Sequence, residues 1–402
     1  MTQSNPTGTA SFERDFHHDF DFDDPEFGKR YDDVVADLVR NCPIARGNRD
    51  QGYWVLTSYD DVRRCAQDWR TFVSGQGVIP HRPPGMKFQI PTEMDPPGHT
   101  NLRRTLNPFF TAAAVADLEP AIRRLSNELI DQFIATGSCG FVTEFARPLP
   151  GLIFFSEILG LPTEDIEMVK SWVDAAIVGP PEGRGAGWAN VLGYVDQYLR
   201  LRSDAEQRGD VIDAVLAFED VDNPVDWEAR MSTVSTLIFG GLETTANLLG
   251  GGMYHLVRHP EDQFRLVADA SLQASATEEF LRVYASTFAE ARTATADVTI
   301  REQTIRAGEM VLLGFGAACR DPQVIDDPDV TDIARESNRH VAFGLGPHRC
   351  LGSHLARLEI SAAFDELLKR MNNIRLAPGA HPEFPTSWIH TAESLPIVFD
   401  AR

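Results

Sequence analysis

One of the chain's five cysteines stands apart from the rest. Cys350 closes the run Phe343-Gly344-Leu345-Gly346-Pro347-His348-Arg349-Cys350-Leu351-Gly352, where glycines, a histidine and an arginine crowd around it. A thiolate is a metal ligand only when positive charge, amide donors or a helix N-terminus stabilise its charge, and all three lie close by in sequence. Gly344, Gly346 and Gly352 permit positive φ values or the close approach of a flat ligand, so amide N–H groups can point at the sulfur. Phe343 can keep water off it. Leu351, Leu355, Leu358, Ala362 and Leu367, with Glu359 and Lys369 between them, predict a helix whose positive end faces Cys350. Two plainer readings compete. A free cysteine is commonly a small buried hydrophobe, and His340, His348, Cys350 and His354 together could hold zinc. Against zinc, the run contains no C-x2-C pair, and a structural zinc site has no need of three glycines and a phenylalanine.

A second constellation lies upstream. The segment from Ser232 to Ala246 has helical composition yet carries Gly240 and Gly241 side by side, each costing about 1 kcal/mol against alanine in a helix interior. A helix accepts that where something must approach closely or where it bends and frees carbonyls. The acid Glu243 and the alcohol Thr244 follow at once. The plainer reading is a packing contact beside a surface Glu-Thr-Thr run. Further toward the N-terminus, Asp95 is a predicted N-cap and Pro96 a first helical residue, which makes His99 and Arg103 i,i+4 neighbours on one face.

The cysteine run matches F-G-x-G-x-H-x-C-x-G at every fixed position, and in this the chain resembles the cytochrome P-450 family, the haem-thiolate monooxygenases. The resemblance implies haem b (iron protoporphyrin IX) with Cys350 as the axial iron ligand, packed among Phe343, Gly344, Gly352 and, across the ring, Gly240. A thiolate in that position pushes electron density onto iron and favours O–O cleavage. Gly240 to Thr244 match the family's [A/G]-G-x-[D/E]-T. By that match Thr244 would hold hydrogen bonds at the oxygen-binding face, while Glu243, where many members have Asp, would pass protons inward. His99 and Arg103 match H-x-x-x-R. With Arg292 and His348 they would pair with the haem propionates, since buried anions need cations and hydrogen bonds. Glu279 and Arg282 match E-x-x-R, a structural brace on the proximal side. Ser286 stands where proline is frequent, and Cys319-Arg320-Asp321-Pro322 resembles N-R-D-P with Cys for Asn.

By the same resemblance the pocket would be lined by Val78, Phe88, Thr236, Phe239, Phe288, Ala289, Trp388 and Ile389, mostly apolar. The segment from Ile90 to Pro97 looks particularly like the camphor-hydroxylating branch, although residues 73–90 lack the tyrosine that branch uses toward a ketone. A small apolar substrate, terpenoid or aromatic, is the expectation, with Arg82 or Lys87 as the alternative contacts for a carboxylate. The expected reaction consumes O2, with electrons passing from NAD(P)H through a ferredoxin reductase and an iron-sulfur ferredoxin that docks near Arg103, Arg104, Arg349 and Arg357. A peroxide-driven peroxygenase and a non-catalytic haem sensor or carrier are the alternatives, and neither needs a proton-relay pair.

These residues must be positioned by a large core. At 402 residues, 43% hydrophobic and 24% charged, the chain reads as a globular enzyme, and no linker or repeat divides it, so a single domain over 1–402 is expected, with 1–25 as a flexible N-terminus. The scattered cysteines form no disulfide framework. A net charge of −22 argues against nucleic acid or an anionic membrane as partner. The N-terminus reads as neither signal peptide nor anchor, which leads to the expectation of a cytoplasmic bacterial protein, monomeric and without a fused reductase. Amphipathic periodicity predicts helices near 60–67, 112–136, 163–177, 188–207, 227–257, 262–269, 275–285 and 353–371. Short strands are predicted at Tyr53–Leu56, Val298–Ile300, Met310–Leu313 and Pro396–Phe399. The loop 178–188, rich in Gly and Pro, reads as either a lid or a plain surface turn. The fold class is mainly α, with small β-sheets around a buried haem.

Overall fold

In the computed structural model, residues 12–82, 86–177, 179, 181–220, 225–382 and 392–402 are described. The body is built around one helix, Trp227–Arg258, of 32 residues, about 48 Å at 1.5 Å per residue. Asp226 starts it by accepting the amide hydrogen of Ala229 (2.8 Å), and its apolar residues are buried on nearly every face. Such a helix needs partners all round. They include Pro148–Ile153, Pro181–Ser203, Leu272–Val283 and Ser353–Arg370, the last of which packs in turn on Glu119–Phe133, whose Ile122, Leu125, Leu129, Ile130 and Phe133 face the core.

A five-stranded sheet stands beside this helical body in the order Ile44–Gly47, Tyr53–Leu56, Met310–Leu313, Glu290–Ala294, Phe72–Val73. Tyr53–Leu56 runs parallel to Met310–Leu313 with Tyr53 opposite Met310, and Glu290–Ala294 is antiparallel to it with Arg292 opposite Val311. Ser138–Gly140, Pro396–Ala401 and Met371–Leu376 make a second sheet, and Val298–Ile300 pairs with Gln303–Ile305.

Three expectations change. Residues 12–24 are packed, not flexible: Phe16, Phe20 and Phe22 are buried, because the phenylalanines that alternate with acids all face one aromatic cluster while Asp21, Asp23 and Asp24 pair with Arg14 and Arg49. Residues 1–11 lie outside the described residues. The helix expected to begin at 188 begins at Pro181, so most of the segment 178–188 is helical. The last helix ends at Arg370, since Met371 enters a strand.

Candidate active site

The cysteine run is a tight loop tied at its ends. The Cys350 amide donates to the Phe343 carbonyl (2.8 Å) and the Gly344 amide to the Val341 carbonyl (2.8 Å). Gly344 and Gly346 sit at φ +64° and +69°, where a side chain is strained, and a Cβ on Gly346 would also strike the Ala66 carbonyl. The helix Ser353–Arg370 starts directly after, with Gly352 as its N-cap. Cys350 keeps exposed surface yet stands in a recess that protein crowds. Desolvation there raises its thiol, while the Gly352 amide, Arg103 and Arg349 pull it down. The expected convergence of amide, cation and helix terminus on the sulfur is present. The zinc set is not assembled: His340 is engaged by Glu278 (2.9 Å), and no cluster of three metal-ligating side chains occurs among the described residues.

On the central helix the two adjacent glycines differ. A Cβ on Gly241 would lie 2.6 Å from the Phe154 ring, whereas one on Gly240 would meet nothing within 4 Å. Thr244 donates its hydroxyl back to the Gly240 carbonyl (2.8 Å), and the Ser286 hydroxyl donates to the Thr244 carbonyl (2.7 Å). Serine in the usual proline position thus ties the chain ahead of Arg292 to this helix. Glu243 is buried, with its carboxyl pushed up to about 7 by desolvation and by Asp174, against the pull of Arg147 and Lys170. Asp174 faces it, and an acid beside another carboxylate holds its proton more tightly. Two residues on, Thr245 faces Glu359 of the helix Ser353–Arg370. Sequence periodicity places Glu359 among the polar positions, but it is buried, and burial pushes its carboxyl up to about 8.

A cationic cluster faces the cysteine loop. His99 and Arg103 lie on the helix Gly98–Leu106, Arg292 on its strand and His348 in the loop. The His99 and His348 rings are 4.1 Å apart, and Ser74 Oγ is 3.2 Å from His348 Nε2. Burial, with Arg103 and Arg292, holds His99 down to about 4 and His348 to about 2, so both imidazoles are neutral at pH 7. Arg103 donates to the Arg349 carbonyl (2.8 Å), and Arg292 reaches only the Ala291 carbonyl (2.6 Å) and, more distantly, Glu290 (3.4 Å). His99 Nδ1 is buried without a partner. Asp95 differs from expectation: its carboxylate accepts from the Ser74 and Gly75 amides (2.8 and 3.0 Å), and the helix begins at Gly98 with Pro97 as N-cap. Two arginines and an orphaned imidazole nitrogen fit an anionic edge. The bare backbone at Gly240 and Gly352, neither of which would give a Cβ a neighbour within 4 Å, fits a flat ring. These residues suit a haem with its propionates.

The expected pocket residues divide. Phe239 is buried and stacks on Trp188 (3.6 Å between centroids), and Thr236 Oγ1 is buried without a partner. Val78 is buried, its amide donating to Glu93 (2.8 Å), and Ala289 lines an apolar cavity together with Met86 and Trp188. Two assignments are corrected. Phe88 is 46% exposed with the Arg82 guanidinium 4.6 Å over its ring, while its neighbour Met86 turns inward. Phe288 belongs to the N-terminal cluster, stacked 5.5 Å from Phe20 and edge-on to Phe27 and Tyr31. Trp388 and Ile389 lie outside the described residues. Trp188 was not singled out from the sequence, since nothing local distinguishes it.

Glu279 and Arg282 are both fully buried and pair bidentately (2.7 and 2.8 Å). Arg282 also donates to the carbonyls of Pro328 (2.7 Å) and Val330 (3.0 Å), and Glu279 accepts from Arg335 and Asn338. Burial alone would raise the Glu279 carboxyl, but these partners hold it below the ordinary range. Cys319 accepts the Val341 amide (3.3 Å), Arg320 pairs with Asp32 (2.7 Å), and Asp321 accepts the Tyr59 amide (2.8 Å).

The chain is similar to known proteins along most of its length. The family model described as Cytochrome P450 matches residues 192–383. The chain is 36% identical to a steroid C26-monooxygenase of Mycolicibacterium smegmatis over 89% of this chain and 90% of the relative. It is 35% identical to a vitamin D(3) 25-hydroxylase of Pseudonocardia autotrophica over 86% of each. Among solved structures, P450BioI in complex with an acyl carrier protein ligated to hexadec-9Z-enoic acid superposes with a TM-score of 0.84 at 30% identity, covering 93% of this chain and all of that one. A cysteine loop at a helix terminus and an acid-alcohol pair beside a bare glycine, within a fold matched along nearly its whole length, make this chain a member of the cytochrome P450 family and a monooxygenase.

Proposed function

We propose that the chain hydroxylates a small apolar substrate with electrons relayed from NAD(P)H by a separate ferredoxin reductase and ferredoxin: R–H + O2 + 2 e⁻ + 2 H⁺ gives R–OH + H2O. The observation that carries this reading is Cys350, held by amides and arginines at the start of the helix Ser353–Arg370. Haem, when bound through that sulfur, supplies the activation of dioxygen. His99, Arg103, Arg292 and His348 hold its propionates, and His99 Nδ1 gains its missing partner there. Phe343 and Gly344 shape the sulfur side, and Gly240 and Gly352 give room to the ring. Thr244, anchored to the Gly240 carbonyl, presents its oxygen to the reacting face, and Glu243, its carboxyl raised by burial and by Asp174, carries protons toward it. Glu279 and Arg282 brace the loop without touching substrate. Phe239, Thr236, Val78 and Ala289 border the apolar space. The protein works as a monomeric single domain, and no described helix is long and apolar enough to cross a membrane; we place it in the cytoplasm. A terpenoid or aromatic body suits such walls.

The acid-alcohol pair favours this over a peroxide-driven reaction, in which the oxidant brings its own protons. Reduced, CO-treated protein should show the Soret band of thiolate-ligated haem, and Cys350→Ser should abolish it; an unchanged band in the variant overturns the assignment. Thr244→Ala should leave that band in place but divert most NAD(P)H consumption to peroxide, a loss of coupling of about 10²-fold or less, as expected for a proton-transfer role. Unchanged coupling removes Thr244 from the mechanism.

A further inference from the structure

An apolar cavity runs inward between the N-terminal segment, the segment ahead of the His99 helix and the helix Pro181–Ser203, with Phe22, Ile79, Met86, Trp188 and Ala289 in its walls. Trp188 in its wall lies against the ring of Phe239, the residue before Gly240 (3.6 Å between centroids), which sets the cavity's inner wall beside the central helix. Its outer end is shared with a polar cleft that opens to solvent. Asp23, Pro80, His81 and Arg184 line both spaces, which makes them the collar between them.

Three acids and three arginines line the collar and its cleft, but they are not all paired with one another. Arg49 is neutralised by Asp23 (2.7 Å), Arg82 is ion-paired to buried Glu93, and Glu309 is held by Trp54 Nε1 (2.9 Å) and Arg46 (3.7 Å). Arg184 has no acidic partner among the described residues; its Nε donates to the Gly179 carbonyl (2.9 Å), leaving the rest of the guanidinium fork for another acceptor. Beside it, the His81 side chain is only 9% exposed. Its Nδ1 is bonded to Asp50 (2.5 Å), while Nε2 is buried with no partner at all. An arginine fork without an acid among the described residues, at the rim of an apolar cavity, is a place where an anion can be taken up.

We propose that the substrate is an amphipathic carboxylate whose anionic group is held at the collar by the Arg184 fork, with its apolar body extending past Met86 and Ala289 toward Phe239 and Gly240. This rests on the monooxygenase reading above and deepens it. A planar two-oxygen anion matches the fork bidentately, and anchoring it at the rim directs oxidation to the end of the body remote from the carboxylate. The contact differs from the Arg82 or Lys87 pairing expected from sequence: Arg82 is occupied by Glu93, and Lys87 pairs with Glu228 (3.0 Å).

The test uses the haem-loaded full chain and two pairs of probes, dodecanoate with methyl dodecanoate and abietate with methyl abietate. Binding is followed by the ferric spin-state shift and, independently, by titration calorimetry. At least one acid should bind at least tenfold more tightly than its ester, Arg184→Gln should bring that ratio to within about twofold, and Arg184→Lys should keep part of it. No preference for the acid in either pair, failure of both acids to bind, or an acid-to-ester ratio unmoved in Arg184→Gln overturns the proposal. Failure of the monooxygenase reading would appear separately, as loss of the thiolate Soret band, while calorimetry still reports whether the acid is preferred.

Discussion

Gly240 and Gly241 are neighbours of one chemical type, yet the space around each assigns it a different task. Under Gly241 the Phe154 ring leaves no room, since a Cβ there would lie 2.6 Å from it, while Gly240 faces no protein atom within 4 Å. Gly241→Ala should therefore destabilise the fold by about 1–3 kcal/mol, the usual cost of overpacking. Gly240→Ala should leave the denaturant midpoint unchanged or raise it slightly, because alanine is the better helix former by about 1 kcal/mol. Its effect should appear elsewhere, as weaker retention of haem in competition with apomyoglobin. Equal destabilisation by both substitutions would remove the distinction. At this scale the sequence is legible where chemistry is local: Cys350, Thr244 and Glu243 are picked out by short motifs, and the structure forms the tight loop ahead of a helix and the glycine-bearing helix that those motifs call for. It is illegible where a role depends on what arrives from afar. Nothing near residue 288 says that Phe20 will stack on it, and nothing near residue 184 says that its guanidinium will stand without an acid.

Among the elements, the helix Ser353–Arg370 does two jobs, offering its N-terminus to the cysteine loop and burying Glu359 against Thr245 of the central helix. The Glu359 carboxyl is raised by burial from 4.5 to about 8, so the folded state holds that proton more tightly than the unfolded chain does. The stabilisation from the bound proton is complete below about pH 4.5 and is lost as pH rises toward 8, at up to about 1.4 kcal/mol per pH unit. Glu359→Gln keeps the shape and cannot ionise. Its unfolding midpoint should fall less than wild type between pH 5 and 8 and should exceed wild type at pH 8; parallel curves would show that Glu359 is not the neutral acid described. Periodicity located this helix at 353–371 but misjudged the face of Glu359, because one acid on an apolar stripe reads as solvated until its neighbour on another helix is known. The helix Trp227–Arg258 was readable almost to its ends for the opposite reason, a long apolar composition begun by a capping Asp226. Ile44–Gly47 was missed because its pattern is weak and its existence depends on pairing with Tyr53–Leu56.

For the whole molecule the decisive quantity is charge distribution. A chain of net charge −22 repels an acidic ferredoxin at long range, so productive docking needs a local exception. One lies on the side of the cysteine loop, in a shallow depression bordered by His99, Arg103, Arg104, Asn107 and Pro347. Arg103 is turned inward to the Arg349 carbonyl, but Arg104 is exposed, its one hydrogen bond going to the neutral Asn101 (3.4 Å). An exposed cation of this kind contributes little to the fold and much to association. Arg104→Glu should lower the second-order rate of reduction by a ferredoxin by about three- to tenfold at 50 mM salt, with the substrate-induced spin shift intact. The difference should shrink toward nothing near 0.5 M, where screening operates within a few ångströms. A rate indifferent to the substitution at low salt, or a deficit that persists at high salt, would place the docking surface elsewhere. The geometry behind this prediction is local: the loop that holds Cys350 brings Pro347 and Arg349 against the His99 helix, which sets Arg104 in the same depression as that loop.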